Sequence, residues 1–501
     1  MNIKTILNIL AAMLGIIGLS MLFPVLIAYL YNESDLSGYF YSMALCLSIS
    51  IPVWFLTRKN RKLSSRDGFA LVTFAWITVA IAGSLPFYLT GSIPNYTDAW
   101  FESMSGVTTT GATIIGSVST LPNLVDGIES LPKGILFWRS FLQWIGGMGI
   151  IVFTIAILPL LGVGGVQLFK AEVPGPVADK IKPRVKETAK ILWMVYVGFT
   201  ILQTMLLGFA GMPWFDSVCH AFTTMPTGGF STQNASIASY SSPLIQYIFI
   251  IFMFVAGVNF TLHFRAITGN FKSHFKDYEF KVYFMLIVLA TALIFINISS
   301  SNSNWSHHNF MISLFQSIAI MTGTGYANAD YELWPYFAQL LLFFLMFFGA
   351  MGGSTSGGMK IARIILLGKY AVSETRRMLH SRAIIPLRIG SRSISDDIVR
   401  NTLGFFLIYL SIFVLTALVL STFNLDLISA FGAAASAIGN VGPAFGVFGP
   451  TDNYALLNPI GKWMLTFCML LGRLEIFTII CLLYTSPSPR DATLSRMPSS
   501  A

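Results

Sequence analysis

One pattern returns four times along this chain: a long apolar run, an acidic residue, a short half-apolar segment ending in glycine, a polar loop, and a second long apolar run. Such a repeat fixes architecture before any single motif does. Aligned on the glycine, the first copy reads Asp98-Ala-Trp-Phe-Glu-Ser-Met-Ser-Gly-Val-Thr-Thr-Thr110-Gly111, and the third reads Phe315-Gln-Ser-Ile-Ala-Ile-Met-Thr-Gly-Thr324-Gly325. From Phe101 and Phe315 the two match without a gap, although no acidic residue immediately precedes the third segment. The second copy runs from Asp216 to Pro226-Thr227-Gly228-Gly229-Phe230, and the fourth ends Asn440-Val441-Gly442-Pro443 and departs most.

The segments before each glycine are about ten residues long, too short to cross a bilayer as helices. They are too apolar for loops in water and suit re-entrant half-helices. Non-helical backbone at membrane depth is tolerated only where protein surrounds it or water lines it, so four Thr-Gly-type turns imply a central aqueous pathway. Glycine permits positive φ, letting successive carbonyls turn inward, and rings of carbonyl oxygens replace a cation's hydration shell. The plainer alternative, a simple loop turn, is weakened by recurrence at four equivalent places. Asp98, Asp216 and Asp426 are expected to cap the half-helices, with cation attraction as a second role. The half-helix C-termini, pointing inward, would add negative dipole ends.

The flanking runs fit lipid as their solvent. Hydrophobic residues make up 54% of the chain and charged ones 11%, with a mean hydropathy of +0.70. A span needs about 20 apolar residues, and runs such as Ile6 to Leu30, Tyr39 to Leu56, Phe69 to Leu89 and Ile135 to Leu161 lead to about ten spans in all. The first run exceeds a signal-peptide core of roughly 7 to 15 residues and reads as a retained helix. Of 31 Lys and Arg, 24 fall in Arg58 to Arg66, Lys170 to Lys190, Arg265 to Lys281 and Lys360 to Arg400. Each follows a span returning to one side, the positive-inside pattern; these stretches and the N-terminus are therefore expected in the cytoplasm, and the net charge of +9 does not point to nucleic acid. The opposite loops are acidic, with Lys133 almost their only basic residue. Cys46, Cys219, Cys468 and Cys481 lack paired spacings.

Trp334 to Leu367 is too long for one ordinary span, and Gly352-Gly353-Ser354-Thr355-Ser356-Gly357-Gly358 interrupts it. Broken helices at mid-membrane mark ion pathways; the alternative is a tolerated kink. Arg473 sits near the centre of the run Trp463 to Leu483, where a charge costs at least about 2.5 to 3.5 kcal/mol. Glu475, two residues on, does not face it on a helix. The expected partner is a carbonyl or hydroxyl of the 352–358 loop, the alternative an ion pair with Glu475 of a second copy or with another helix. Arg376, Arg377, Arg382, Arg388 and Arg392 read as positive-inside anchors, with docking of a partner as a second reading.

At these residues the chain resembles the superfamily of potassium transporters that includes the bacterial Trk and Ktr membrane subunits, whose one-chain pores resemble four fused channel subunits. The likeness extends to Phe137-Trp-Arg-Ser-Phe-Leu-Gln-Trp-Ile-Gly-Gly-Met-Gly149, Leu158-Pro-Leu-Leu-Gly-Val-Gly-Gly165, Glu172-Val-Pro-Gly-Pro176, the 352–358 loop followed by Lys360, and Gly472-Arg-Leu-Glu-Ile-Phe-Thr478. It implies an all-α polytopic fold of two N-terminal helices (1–66) and four helix, pore loop, helix repeats at 67–170, 171–275, 276–395 with a broken second helix, and 396–482. The two extra spans favour the Trk branch. The resemblance carries potassium contacts onto Thr110, Gly111, Thr227, Gly228, Thr324, Gly325, Asn440, Val441 and Gly442. It makes the 352–358 loop, followed by Lys360, a gate beneath the filter, and Arg473 is expected to help hold that loop closed and to add an electrostatic barrier to cations. It also implies a homodimer in the bacterial inner membrane and a cytoplasmic TrkA-type ring that binds NAD or ATP/ADP, this chain itself holding no cofactor. Gly162-Val-Gly-Gly165 lacks the strand and acidic residue of a dinucleotide loop and reads as close helix packing. One glycine per repeat suggests weaker selectivity against sodium than in a dedicated channel.

The polar stretch 483–501 breaks the pattern and is set aside as a non-native tail. His220, His263, His274, His307, His308 and His380 show no metal-ligand spacing, and no Ser, His and Asp set stands out, which argues against an enzyme. The nearer rival is an alternating-access cation carrier coupled to sodium or protons, but common carriers show inverted or twofold repeats where this chain shows a parallel fourfold one.

Overall fold

The computed structural model describes residues 3–57, 65–116, 127–157, 185–301, 303–380, 387–389 and 392–475. Most of the basic stretches 58–66 and 170–190 lies outside the described residues, as do Asp126, the signatures at 158–165 and 172–176, Arg382, the end of the 472–478 signature, Cys481 and the tail 483–501.

Two helical spans precede the repeats. α1 (Ile3–Ser20) runs on into α2 (Leu22–Leu30), and α3 (Leu36–Thr57) packs antiparallel against it. Small residues set this contact: Gly15 faces Ser50, Gly18 faces Cys46, and the Ser50 hydroxyl donates to the Ala11 carbonyl at 2.6 Å. In lipid, close approach of small residues substitutes for hydrophobic drive.

Each repeat then supplies an outer helix, a half-helix and an inner helix. The first has α4 (Ser65–Leu89), α5 (Tyr96–Val107) and α6 (Lys133–Ile157). The second has α7 (Val185–Phe209), α8 (Trp214–Thr224) and an inner helix split into α9 (Pro243–Ala256) and α10 (Phe260–Ile267). The third has α11 (Tyr278–Ser301), α12 (His307–Met321) and the split pair α13 (Tyr336–Leu345) and α14 (Ile361–Leu379). The fourth has α15 (Asp396–Ser421), α16 (Leu427–Gly439) and α17 (Pro459–Arg473). Six spans among the described residues are long and apolar enough to cross a membrane. A two-residue antiparallel ladder, Arg388–Ile389 with Arg392–Ser393, lies between α14 and α15, and a single parallel bridge pairs Phe348 with Met359.

The half-helices have 12, 11, 15 and 13 residues, which at about 1.5 Å per residue reach only part of a roughly 30 Å hydrocarbon core. They sit at the centre: α5 and α16 bury most of their residues, while Phe209, Phe284, Leu407 and Leu418 on the outer helices are each more than half exposed. An apolar outside around a polar centre is the inversion that lipid requires.

The capping expectation holds for one aspartate of three. Asp426 caps α16, accepting from the Ser429 N–H at 3.4 Å. α5 is capped instead by Asn95, through the Thr97 N–H at 2.9 Å, and α12 by Ser306. Pro213 precedes α8 without a side-chain cap, and Asp216 accepts the Thr232 hydroxyl at 2.8 Å. Asp98 and Asp216 lie one turn too far into their helices to cap them. A break in the second repeat was not anticipated: α9 and α10 bend by 104° at Gly257–Asn259, with Asn259 capping α10.

Candidate functional site

Every half-helix ends in a three-residue turn whose first and third residues have positive φ. The pairs are Thr109 (52°) and Gly111 (85°), Thr227 (58°) and Gly229 (78°), Gly323 (70°) and Gly325 (72°), and Asn440 (53°) and Gly442 (102°). Middle residues cap the helix end: Thr110, Gly228 and Val441 donate to the carbonyls of Ser105, Thr223 and Ser436 at 2.9, 2.8 and 2.9 Å. This sets the fourfold register. Gly229, rather than Gly228, corresponds to Gly111, because a Gly-Gly pair lets sequence alignment slip by one where backbone conformation does not.

The four turns close on themselves. A Cβ on Gly111 would collide with the Gly228 carbonyl oxygen, one on Gly229 with Thr324 O, one on Gly325 with Val441 O, and one on Gly442 would lie 2.6 Å from Thr110 O. Each repeat's glycine thus abuts the next repeat's carbonyl, and the fourth returns to the first. Thr110, Gly111, Thr227, Gly228, Thr324, Gly325, Asn440, Val441 and Gly442 all belong to this ring. The third residues of all four turns line one cleft that is open to solvent, with Arg139 and Asp452 also on its wall.

Buried polar groups behind the ring hold it in place. The Tyr326 hydroxyl bonds to Thr223 and Thr224 Oγ1 at 2.5 and 3.1 Å, Tyr331 donates to Ala444 O at 2.8 Å, and Tyr454 to Gly442 O at 3.0 Å. Asn440 Nδ2 reaches Thr110 Oγ1 and Met469 O, both at 2.9 Å. Two buried ion pairs were missed in the sequence. Arg139 Nε lies 2.7 Å from Glu102 Oε1, and that carboxylate also accepts from Thr113 Oγ1 and the Ile114 N–H. Lys462 Nζ lies 2.5 Å from Asp98 Oδ1. The reasoning that singled out Arg473, a charge inside an apolar run, applies equally to Arg139 and Lys462.

The 352–358 loop lies on the half-helix side of the ring. Its neck is closed by the Gly349 N–H on Met359 O at 2.8 Å. Thr355 Oγ1 donates to Met225 O at 2.9 Å, and a Cβ on Gly357 would meet Asn440 Cβ at 2.7 Å, so the loop touches the bases of the second and fourth turns. Arg473 Nη1 donates to Thr355 O at 2.6 Å and Nη2 to Gly146 O at 3.4 Å. Glu475 pairs with Arg363 at 2.5 Å, not with Arg473. Lys360 Nζ donates to Ser356 O, and Ser354 Oγ to Met351 O at 2.6 Å. The unanticipated α9–α10 break is the loop's dock: Met351 N–H donates to Gly257 O and Phe260 N–H to Gly353 O, both at 3.1 Å. Glu279, also missed, accepts from the N–H groups of Gly352 and Ala362 at 2.8 and 3.2 Å, spanning the loop's two ends. Arg376, Arg377 and Arg388 are exposed beyond it, Arg377 pairing with Glu374.

Comparisons with known proteins match nearly the whole chain. A family model described as "TrkH: Cation transport protein" matches residues 37–492, running past residue 482 where the sequence reading ends the fourth repeat. The chain is 40% identical over 491 residues to the Trk system potassium uptake protein TrkH of Vibrio parahaemolyticus, covering 96% of this chain and 99% of that one. It is 39% identical to TrkH of Escherichia coli K12 over 96% and 98%, and 33% identical to TrkG of that strain over 96% and 98%. The crystal structure of the potassium transporter TrkH from Vibrio parahaemolyticus superposes with a TM-score of 0.86 at 38% identity, covering 97% of this chain and 99% of that one.

Proposed function

The chain belongs to the TrkH family of cation transport proteins, and from that premise we propose that it takes up potassium across the bacterial inner membrane by channel-like conduction. The observation that carries this reading is the closed ring in which Gly111, Gly229, Gly325 and Gly442 abut the carbonyls of Gly228, Thr324, Val441 and Thr110. Four carbonyl oxygens at one level can replace a cation's hydration shell. The relatives are named as potassium uptake proteins, which selects the cation.

The loop Gly352, Gly353, Ser354, Thr355, Ser356, Gly357 and Gly358 serves as the gate, held by Arg473 and braced by Lys360. A buried guanidinium beside the pathway also sets an electrostatic barrier to cations. α14 follows the loop directly and ends in exposed arginines, so a cytoplasmic nucleotide-binding subunit of the TrkA type, carrying NAD or ATP/ADP, can move the gate by pulling on that helix. The functional unit is a homodimer with one pore per chain, its N-termini in the cytoplasm, its repeats bounded at 67–170, 171–275, 276–395 and 396–482. Parallel repeats with re-entrant loops favour this over a coupled carrier.

Cation uptake into proteoliposomes, compared for potassium, rubidium, sodium and lithium with and without the regulatory subunit, tests the proposal. Potassium and rubidium should exceed the others, and Gly111→Ser should abolish the difference. Absence of flux for every monovalent cation under both conditions would refute it.

A further inference from the structure

Gln143, on α6 of the first repeat, sets its side-chain amide against the turn of the second. Nε2 donates to the Gly228 carbonyl at 2.8 Å, and Oε1 accepts from the Phe230 N–H at 3.2 Å. Four residues earlier, Arg139 donates to Ser231 O at 3.2 Å and lies over the Phe230 ring at 4.2 Å. Residues four apart share a helix face, so one face of α6 grips 228–231 at successive points. The fit is tight: Gln143 is fully buried, and a Cβ on Gly228 would sit 2.5 Å from its amide.

The gripped oxygen is a member of the ring, the one that Gly111 abuts. Among the described residues, it is the ring carbonyl that accepts a side-chain hydrogen bond, while those of Thr110, Thr324 and Val441 accept none. Nor does the fourth repeat supply such an amide. Gly146 and Gly472 are counterparts, since a Cβ on either would collide with a carbonyl two residues before its turn, Val107 O or Ile438 O. Three residues before them stand Gln143 and Met469.

We infer that Gln143 is a positioning residue that sets the ring's preference among monovalent cations by holding and partly neutralising the Gly228 carbonyl. This rests on the conduction reading. A carbonyl bound to an N–H donor is fixed in direction and has one of its two lone pairs already committed. It presents a passing cation with a weaker field and cannot swing inward. Such a ring suits a large, weakly hydrated cation and fails to contract around a small one, whose dehydration is costlier. With the donor removed, the Gly228 oxygen is free to close on sodium.

Gln143→Met, the residue found at the fourth-repeat counterpart, keeps side-chain length and removes both hydrogen bonds. The potassium-to-sodium permeability ratio of the purified full chain in liposomes should fall about three- to tenfold, the ratio that one hydrogen bond's net worth corresponds to. Potassium's advantage over sodium in raising the melting midpoint of detergent-solubilised protein should shrink in parallel. Gln143→Asn, whose shorter amide cannot bridge both contacts, gives the same direction and serves if the methionine variant does not purify. A variant that is monodisperse and retains the wild-type permeability ratio overturns the inference while leaving the conduction reading intact. A wild-type chain with no preference for potassium overturns the conduction reading itself.

Discussion

Arg473 reaches from the end of α17 to the 352–358 loop, its Nη1 standing 2.6 Å from the carbonyl oxygen of Thr355. Both residues are buried, so this is a charge-assisted hydrogen bond in a low-dielectric site, of the stronger kind. It joins the third and fourth repeats beside the turns that Thr355 and Gly357 touch.

Removing that bond should loosen the loop. Arg473→Ala is expected to raise potassium flux in the absence of any regulatory subunit by roughly ten- to 150-fold, as a charge-assisted bond of about 1.5 to 3 kcal/mol implies. Arg473→Lys, which keeps charge but loses the fork, should lie between. Single-channel open probability in planar bilayers reads the effect; unchanged gating in Arg473→Ala would remove Arg473 from the gate.

Gly229 and Gly91 share a φ of 78° but not their surroundings. A Cβ on Gly229 would collide with the Thr324 carbonyl, while nothing lies within 4 Å of one on Gly91. Gly91→Ala should therefore cost only backbone strain, about 1 kcal/mol, and leave potassium selectivity intact. Gly229→Ala should distort the ring and abolish selectivity. Rubidium and sodium uptake by the two variants, measured side by side, decides the point.

The Asp98–Lys462 pair ties α5 to α17 with both groups buried. Asp98→Asn or Lys462→Met alone leaves a buried charge without its partner and should lower stability by about 3 to 5 kcal/mol. The double replacement should recover a large part of that loss. A double-mutant cycle on thermal unfolding in detergent measures the coupling, and strict additivity would argue that the pair is not formed.

In the loop between α12 and α13, Glu332 accepts from the Gly446 N–H at 2.6 Å. Burial pushes its carboxyl above the ordinary range, with Asp330, Asp452 and Asp426 adding to the shift against that hydrogen bond. A carboxyl raised in the folded state contributes stability below its unfolded pKa of about 4.3 and loses it as pH rises through the raised value. Glu332→Gln should flatten this fall across the mildly acidic range. Parallel melting curves against pH for the two proteins would contradict it.

The sequence carried the architecture because lipid leaves few choices: length and apolarity mark the spans, and four short segments ending in glycine mark the half-helices. Arg473 was legible for the same reason, since a guanidinium in an apolar run needs a partner and the interrupted third repeat supplied a carbonyl. What stayed hidden depends on three-dimensional register. Gly228 and Gly229 are adjacent glycines, and only backbone conformation decides which one matches Gly111. Asp98 looked like a cap because nothing local revealed Lys462, 364 residues away. The α9–α10 break showed no glycine-rich signature, only Gly257 and Asn259, because the loop of the next repeat stabilises it. Nothing near Glu279 marks it in the sequence, because the two N–H groups it accepts from, on Gly352 and Ala362, lie 73 and 83 residues further on.

The most direct test of the account is the reversal potential of the current carried by the purified chain in planar bilayers, with potassium and sodium gradients opposed. The account predicts reversal close to the potassium equilibrium potential, following it as potassium is varied and ignoring the proton gradient. A reversal potential that follows sodium, or that shifts with pH as a coupled carrier's does, would contradict it.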